Sequence, residues 1–271
     1  MRAMAWGCVV AALLVGAASE AKAQVFEVIH PDVVRNGFEV EVLNGVRLDD
    51  VPDGEERSAH EIAIGYAPFS FWKTKFAVEI GNPEGEDAEY EAFEWENVLL
   101  LPFGEHAHGG GHDHGHGHDH GDGNFFNLGA LGIFFALEVP NEGGFDSGAI
   151  EVGPIAEVSL GPVETVANLF VEVPFTDGED PGLAYALSAS IPVAKFDPVE
   201  LAAGFEAHGG AEGAFGDATP INDNSHVIGP ALFSEIDMGR GRMLEPRLAF
   251  LFGLTDGSPD AVLSFNVELK F

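Results

Sequence analysis

Ala261-Val262-Leu263-Ser264-Phe265-Asn266-Val267-Glu268-Leu269-Lys270-Phe271 closes the chain with a period of two. Ala261, Leu263, Phe265, Val267, Leu269 and Phe271 fall on one side. Ser264, Asn266, Glu268 and Lys270 fall on the other, with Val262 as the one apolar intruder. Successive side chains of a strand point to opposite faces, so this spacing sorts residues between an apolar and a polar environment.

The same period recurs upstream. Trp72, Thr74, Phe76, Val78 and Ile80 alternate with Lys73, Lys75, Ala77 and Glu79. Ile150, Val152, Pro154, Ala156, Val158 and Leu160 alternate with Glu151, Gly153, Ile155, Glu157 and Ser159. About twelve such segments can be marked: 36–46, 57–67, 71–81, 89–101, 126–139, 148–160, 163–174, 182–193, 198–208, 226–237, 243–254 and 260–271. Segments of about ten alternating residues between turn residues are the signature of a transmembrane β-barrel. The expected fold is therefore all-β: a closed antiparallel transmembrane β-barrel of about 12 strands, with both strand termini at one end. A two-sheet β-sandwich, as in a soluble periplasmic metal-buffering protein, alternates in the same way and is the alternative.

The connections fall into two classes. Counted back from the C-terminus, 255–259, 207–225, 176–181, 141–147, 82–88 and 47–56 are Gly-rich and carry acidic residues. The intervening ones, 239–241, 195–198, 161–162 and 68–70, are short. Outer-membrane barrels keep short turns on the periplasmic side and longer loops outside, so the short side is expected to face the periplasm.

The first residues have the layout of a secretory signal: Arg2, an apolar stretch from Met4 to Ala18, and Ala21-Lys22-Ala23 as a small-x-small cleavage site. Residues 1–23 are expected to be a signal peptide and 24–271 the barrel domain. Cys8, the only cysteine, lies in that signal, which leaves the barrel domain without a disulfide framework. The 45 acidic and 12 basic residues give a net charge of −33, which disfavours nucleic acid and favours cations.

One stretch breaks the pattern. The segment 105–123 holds seven of the eleven histidines, namely His106, His108, His112, His114, His116, His118 and His120, with Asp113 and Asp119 among them. Imidazole suits Zn, Cu and Ni, and carboxylates add oxygen ligands. The spacing lacks the fixed ligand pattern of a structural or catalytic zinc site. These nine residues are therefore expected to bind exchangeable transition-metal ions. Strand parity puts this loop between strands four and five, on the periplasmic side; a miscount of one strand would move it to the cell surface.

The polar phase of the strands is acidic: Glu39, Glu41, Glu61, Glu79, Glu94, Glu96, Glu151, Glu157, Glu164, Glu172, Glu200, Glu206, Glu245 and Glu268, against Lys73, Lys75, Arg247 and Lys270. In a barrel these line the lumen and favour cation entry. The alternative is an internal ion-pair network that plugs a narrow barrel. An enzyme is not expected. Ser58-Ala59-His60 and Ser225-His226 have no recognisable partner acid, and no Gly-rich phosphate loop or His-Glu-x-x-His occurs.

The terminal Phe271 closing an alternating strand resembles the end signature of bacterial outer-membrane barrel proteins, porin- and transporter-like. The stretch Val152-Gly153-Pro154-Ile155-Ala156-Glu157-Val158-Ser159-Leu160-Gly161-Pro162-Val163 is similar to proteobacterial members of about this length. Some of those are grouped with solute transporters of aromatic-degradation pathways. The resemblance implies location in the bacterial outer membrane. It implies outer-membrane lipid, periplasmic chaperones and the barrel-assembly machinery as partners. The histidine segment departs from that pattern and points instead to metal cations. The function expected is transition-metal binding or passage through an acidic lumen. A general porin-like or structural barrel with an incidental histidine loop is the alternative.

Overall fold

A computed structural model describes residues 26–51, 56–102, 126–216 and 220–271. They form twelve strands: β1 (Phe38–Arg47), β2 (Glu56–Phe69), β3 (Trp72–Pro83), β4 (Glu89–Leu100), β5 (Phe126–Pro140), β6 (Ala149–Leu160), β7 (Val163–Pro174), β8 (Gly182–Phe196), β9 (Val199–Ala211), β10 (His226–Gly239), β11 (Arg242–Gly253) and β12 (Ala261–Lys270). Each pairs antiparallel with the next, and β12 pairs with β1 to close a barrel. The two-sheet sandwich does not form. Closure removes every sheet edge, which a lipid environment requires because no water is there to satisfy free N–H and C=O groups. The expected signal peptide 1–23 and the histidine loop 105–123 lie outside the described residues.

The period-two reading finds all twelve strands, with ends displaced by a few residues. β8 and β9 run on to Phe196 and Ala211, past the expected ends. Backbone pairing does not need alternation. Pro192 and the pair Gly209-Gly210 interrupt the side-chain pattern, while the β8–β9 ladder continues through a register shift between Pro192 and Ala194. The tight β10–β11 turn is possible because Gly239, Arg240 and Gly241 all take positive φ, at 73°, 62° and 75°.

The outer face is apolar. Phe38, Val42, Ile62, Ile64, Phe76, Val78, Phe93, Leu232, Phe250 and Phe265 are all exposed. In water so much bare apolar surface would aggregate; against lipid it is the stable choice. Aromatic rings gather at the end that carries both strand termini. Phe69 lies 5.5 Å from Phe71 and 6.1 Å from Trp72, and Phe38 lies 6.0 Å from Phe271. Such rings form the interfacial girdle of membrane barrels.

The lumen is not lined by polar residues alone. Leu43, Val98, Phe134, Ile155, Phe170, Leu251 and Val262 are buried inside. Val262, out of place in the sequence pattern, is 0% exposed and packs with Val227, Ala231, Ala249, Leu251 and Phe26. The sequence pattern did not assign Phe26 to any element, and it explains the intruders. The chain before β1 runs back into the barrel and meets them.

Candidate functional site: an acidic lumen crossed by the N-terminal segment

Residues 26–34 run inside the barrel and touch its wall on several arcs, and Arg35 and Asn36 are exposed where the chain turns into β1. Phe26 packs on the β10–β12 cluster and sits 5.1 Å from the His208 ring of β9. Glu27 reaches Lys75 of β3 at 3.0 Å. Val28 packs on Val166 of β7 and Ala186 of β8. Ile29 packs on Val98, Phe134, Ala136, Ile155 and Phe170 of β4–β7. Phe26 and Val28 are each 3% exposed, so this short extended stretch packs closely against the wall at its level. Burying each such side chain contributes about 1.5–3 kcal/mol.

The wall also satisfies the backbone of the segment. The Ile29 N–H donates to Asn168 Oδ1, and Asn168 Nδ2 donates to the Ile29 carbonyl, both at 2.8 Å. Asn266 Nδ2 donates to the Phe26 carbonyl at 2.8 Å, and Arg247 donates to the same oxygen. Lower down, Lys270 pairs with Asp32 at 3.2 Å, and Asn36 donates to the Ala67 carbonyl at 2.7 Å. These partners remove the desolvation penalty that a chain threaded through a barrel would otherwise carry. Below the segment, a cavity of about 440 Å³ opens at the end holding Phe38 and Phe271. Lys73, Lys195, Arg242 and Glu245 are among its lining residues.

The lumenal carboxylates occupy the phase the sequence gives them, and several face each other across neighbouring strands. Glu61 is in register with Glu79, Glu94 with Glu138, Glu151 with Glu172, and Glu41 with Glu268. Like charges directly opposite are destabilising by about 0.2–1 kcal/mol. The four cations Lys73, Lys75, Arg247 and Lys270 are all engaged. Lys73 meets Glu39 at 3.1 Å, Arg247 meets Glu206 at 3.2 Å, and Lys270 meets Glu245 at 3.0 Å. Lys75 pairs with several carboxylates at once. The ion-pair network is real, but it leaves a large excess of carboxylates. At the opposite rim Arg47 binds Asp49 at 2.7 Å, and that hydrogen bond holds the Asp49 carboxyl below its ordinary range.

The described strands fix where the histidine loop attaches. β4 ends at Leu100 and β5 begins at Phe126, at the same end as Phe38 and Lys270 and as the short turns after Phe69, Leu160, Phe196 and Gly239. The metal-ligand set His106, His108, His112, Asp113, His114, His116, His118, Asp119 and His120 itself lies outside the described residues.

Of the two serine–histidine pairs, one is joined side chain to side chain and extended by a third group. Ser58 Oγ lies 3.2 Å from His60 Nε2, and His60 Nδ1 lies 2.9 Å from Asn44 Oδ1. Asn44 and His60 are in register on β1 and β2, on the outer face. The third group is an amide, not an acid. Ser58 is only 6% exposed, so the three polar groups satisfy one another at the edge of the apolar band. In the other pair His226 bonds to Tyr185 at 3.1 Å, and its backbone N–H donates to Ser258 Oγ at 2.7 Å.

Comparison with protein-family models gives no match, and comparison with curated protein sequences gives none either. Solved structures do match in fold. An outer membrane channel from Pseudomonas putida F1 is similar with a TM-score of 0.54 at 11% identity, covering 88% of this chain and 95% of that one. The NanC porin aligns with a TM-score of 0.47 at 9% identity, over 86% of this chain and 98% of that one. The KdgM porin aligns at 0.46 and 6% identity, over 86% and 98%. The likeness is one of fold. Together with the closed barrel, its apolar outer face and its aromatic girdle, it identifies a transmembrane β-barrel of the outer-membrane type.

Proposed function

We propose that this outer-membrane barrel is a cation-selective passage that residues 26–36 hold closed in the conformation described. The observation that carries the reading is the set of facing lumenal carboxylates, such as Glu151 opposite Glu172 and Glu94 opposite Glu138. A structural plug has no need of mutually repelling charges. A path for cations gains from them, because a low-dielectric wall focuses their field along the lumen. The segment 26–36 is suited to movement. It belongs to no strand pair of the barrel, and besides the backbone bond from Asn36 to Ala67 where it joins β1, its described contacts are side-chain hydrogen bonds, ion pairs and apolar side chains.

The histidine segment extends the reading to transition metals. Its attachment at the end with the short turns supports capture of Zn, Cu or Ni ions on the periplasmic side, by His106, His108, His112, His114, His116, His118 and His120 with Asp113 and Asp119. The alternative is a general porin-like or structural barrel with an incidental histidine loop, and the crossing of the lumen by residues 26–36 favours it over a freely open pore.

The test is reversal-potential measurement in planar bilayers across a KCl gradient, using the refolded chain 24–271 and a form lacking 24–36. Passage of K⁺ in strong preference to Cl⁻, with larger conductance once the segment is removed, is the expected result. Anion preference, or no conductance in either form, refutes the passage. Micromolar Zn, Cu or Ni should alter the current of the intact chain and leave a chain lacking 105–123 unaffected.

A further inference from the structure

Lys75 is ringed by carboxylates from four parts of the fold. Its Nζ lies 3.0 Å from oxygens of Glu27 and Glu41, 3.1 Å from Glu96 and 3.8 Å from Glu61. When all are ionised, one positive charge faces four negative ones, of which Glu61 and Glu96 are buried and Glu27 and Glu41 partly exposed. Lys75 is 4% exposed, Glu96 4% and Glu61 6%. One ammonium cannot satisfy this many buried acceptors.

Two observations point to what completes the site. Glu27, Glu61 and Glu96 each place a carboxylate oxygen within 4.8 Å of the other two. Within that trio, Glu61 Oε1 is buried with no hydrogen-bond partner among the described residues, whereas Glu96 Oε1 has the Lys75 ammonium at 3.1 Å. For Glu61 the nearest ammonium, at 3.8 Å, is beyond hydrogen-bond reach. A buried carboxylate oxygen without a donor costs several kcal/mol at about the scale set by desolvation. Oxygen ligands on one Ca²⁺ stand at about 2.3–2.6 Å from it, hence at most about 5 Å from each other. The trio fits that limit. Its ligands are all hard oxygens with no imidazole or thiolate, a set that favours Ca²⁺ or Mg²⁺ over Zn, Cu or Ni. Its irregular origin suits Ca²⁺, which tolerates variable geometry, better than Mg²⁺, which demands a near-octahedron.

We propose that Glu27, Glu61 and Glu96 bind one hard divalent cation, Ca²⁺ in first preference, and that this ion fastens the N-terminal segment to the barrel wall. Glu61 and Glu96 belong to β2 and β4, whereas Glu27 belongs to the segment crossing the lumen. An ion shared among them therefore binds the closed arrangement and not the released one. Anything that binds one state alone shifts the equilibrium toward it. The inference rests on the reading of residues 26–36 as a movable closure, and it makes divalent cation the ligand that keeps it shut.

The test is calorimetric titration of CaCl₂, with MgCl₂ as competitor, into EDTA-stripped refolded chain 24–271 lacking 105–123, in neutral detergent. One saturable site is expected, with affinity at least tenfold lower in each of Glu27→Gln, Glu61→Gln and Glu96→Gln. Deletion of 24–36 should have the same effect. Heat-modifiable gel migration confirms that each variant forms a barrel. If a wall variant does not fold, Glu27→Gln, which leaves the barrel strands intact, decides the matter. No saturable Ca²⁺ binding, or binding unchanged by Glu27→Gln or by the deletion, overturns the proposal. The readout is binding and not current, so a barrel that conducts nothing would refute the passage while leaving this result to stand or fall alone.

Discussion

Asn168 treats Ile29 as a neighbouring strand would: its amide accepts the Ile29 N–H and donates to the Ile29 carbonyl, both at 2.8 Å. The two residues are 139 positions apart. Asn168 is 2% exposed and uses its side chain to pair a backbone that the barrel ladder does not reach. A side-chain amide offers donor and acceptor side by side in this way at any pH.

Asn168→Leu should therefore loosen the N-terminal segment and spare the barrel. It leaves the Ile29 N–H and C=O buried without partners, at about 1–3 kcal/mol for each group. The expected outcome is at least a tenfold rise in the open population, read as open probability in planar bilayers. Unchanged gating would mean that the segment is not held at Ile29.

Glu206 is 1% exposed and depends on Arg247 at 3.2 Å, with His208 at 3.4 Å. Arg247→Ala strands that carboxylate and also removes a donor to the Phe26 carbonyl. Breaking a buried pair by removing one partner costs about 3–5 kcal/mol. Denaturant unfolding in micelles should show a loss of that order, whereas Arg242→Ala at the exposed β10–β11 turn should change stability by less than about 0.5 kcal/mol.

Glu151 and Glu172 are in register, two acidic side chains facing each other. Glu151→Gln should relieve the repulsion, stabilising the barrel by about 0.2–1 kcal/mol. The same change should lower the preference for K⁺ over Cl⁻, read as a smaller reversal potential. A destabilised variant with undiminished selectivity would remove Glu151 from the conduction path.

The Ser58–His60–Asn44 chain on the outer face has the connectivity of nucleophile, base and orienting group, yet Ser58 is buried. The refolded barrel is expected to leave a p-nitrophenyl acyl ester unhydrolysed above the buffer rate. Hydrolysis that Ser58→Ala abolishes would make these three residues a catalytic triad and the barrel an enzyme.

The sequence by itself determined the strands, their number, their inward and outward faces and the acidic character of the lumen. These follow from local geometry: with a side-chain period of two, each strand declares its two environments independently of every other. Glu61, Glu151 and Glu268 could be assigned to the lumen with no knowledge of their partners. The same logic put the histidine segment at the end with the short turns, on a strand count that only the closed barrel made definite.

Only the tertiary structure decided what occupies the lumen. Phe26, Glu27 and Ile29 have no period to betray them, since the segment before β1 is short and its partners lie on strands far along the chain. The signal existed in fragments: Val262, Ile155 and Phe134 are apolar residues on a polar face, and an apolar lumenal residue needs something to pack against. Which segment meets them, and that Glu27 should join Glu61 and Glu96 around Lys75, depends on closure of the barrel. Curvature turns positions unrelated in sequence into opposite walls of one narrow space, and no local pattern carries that information.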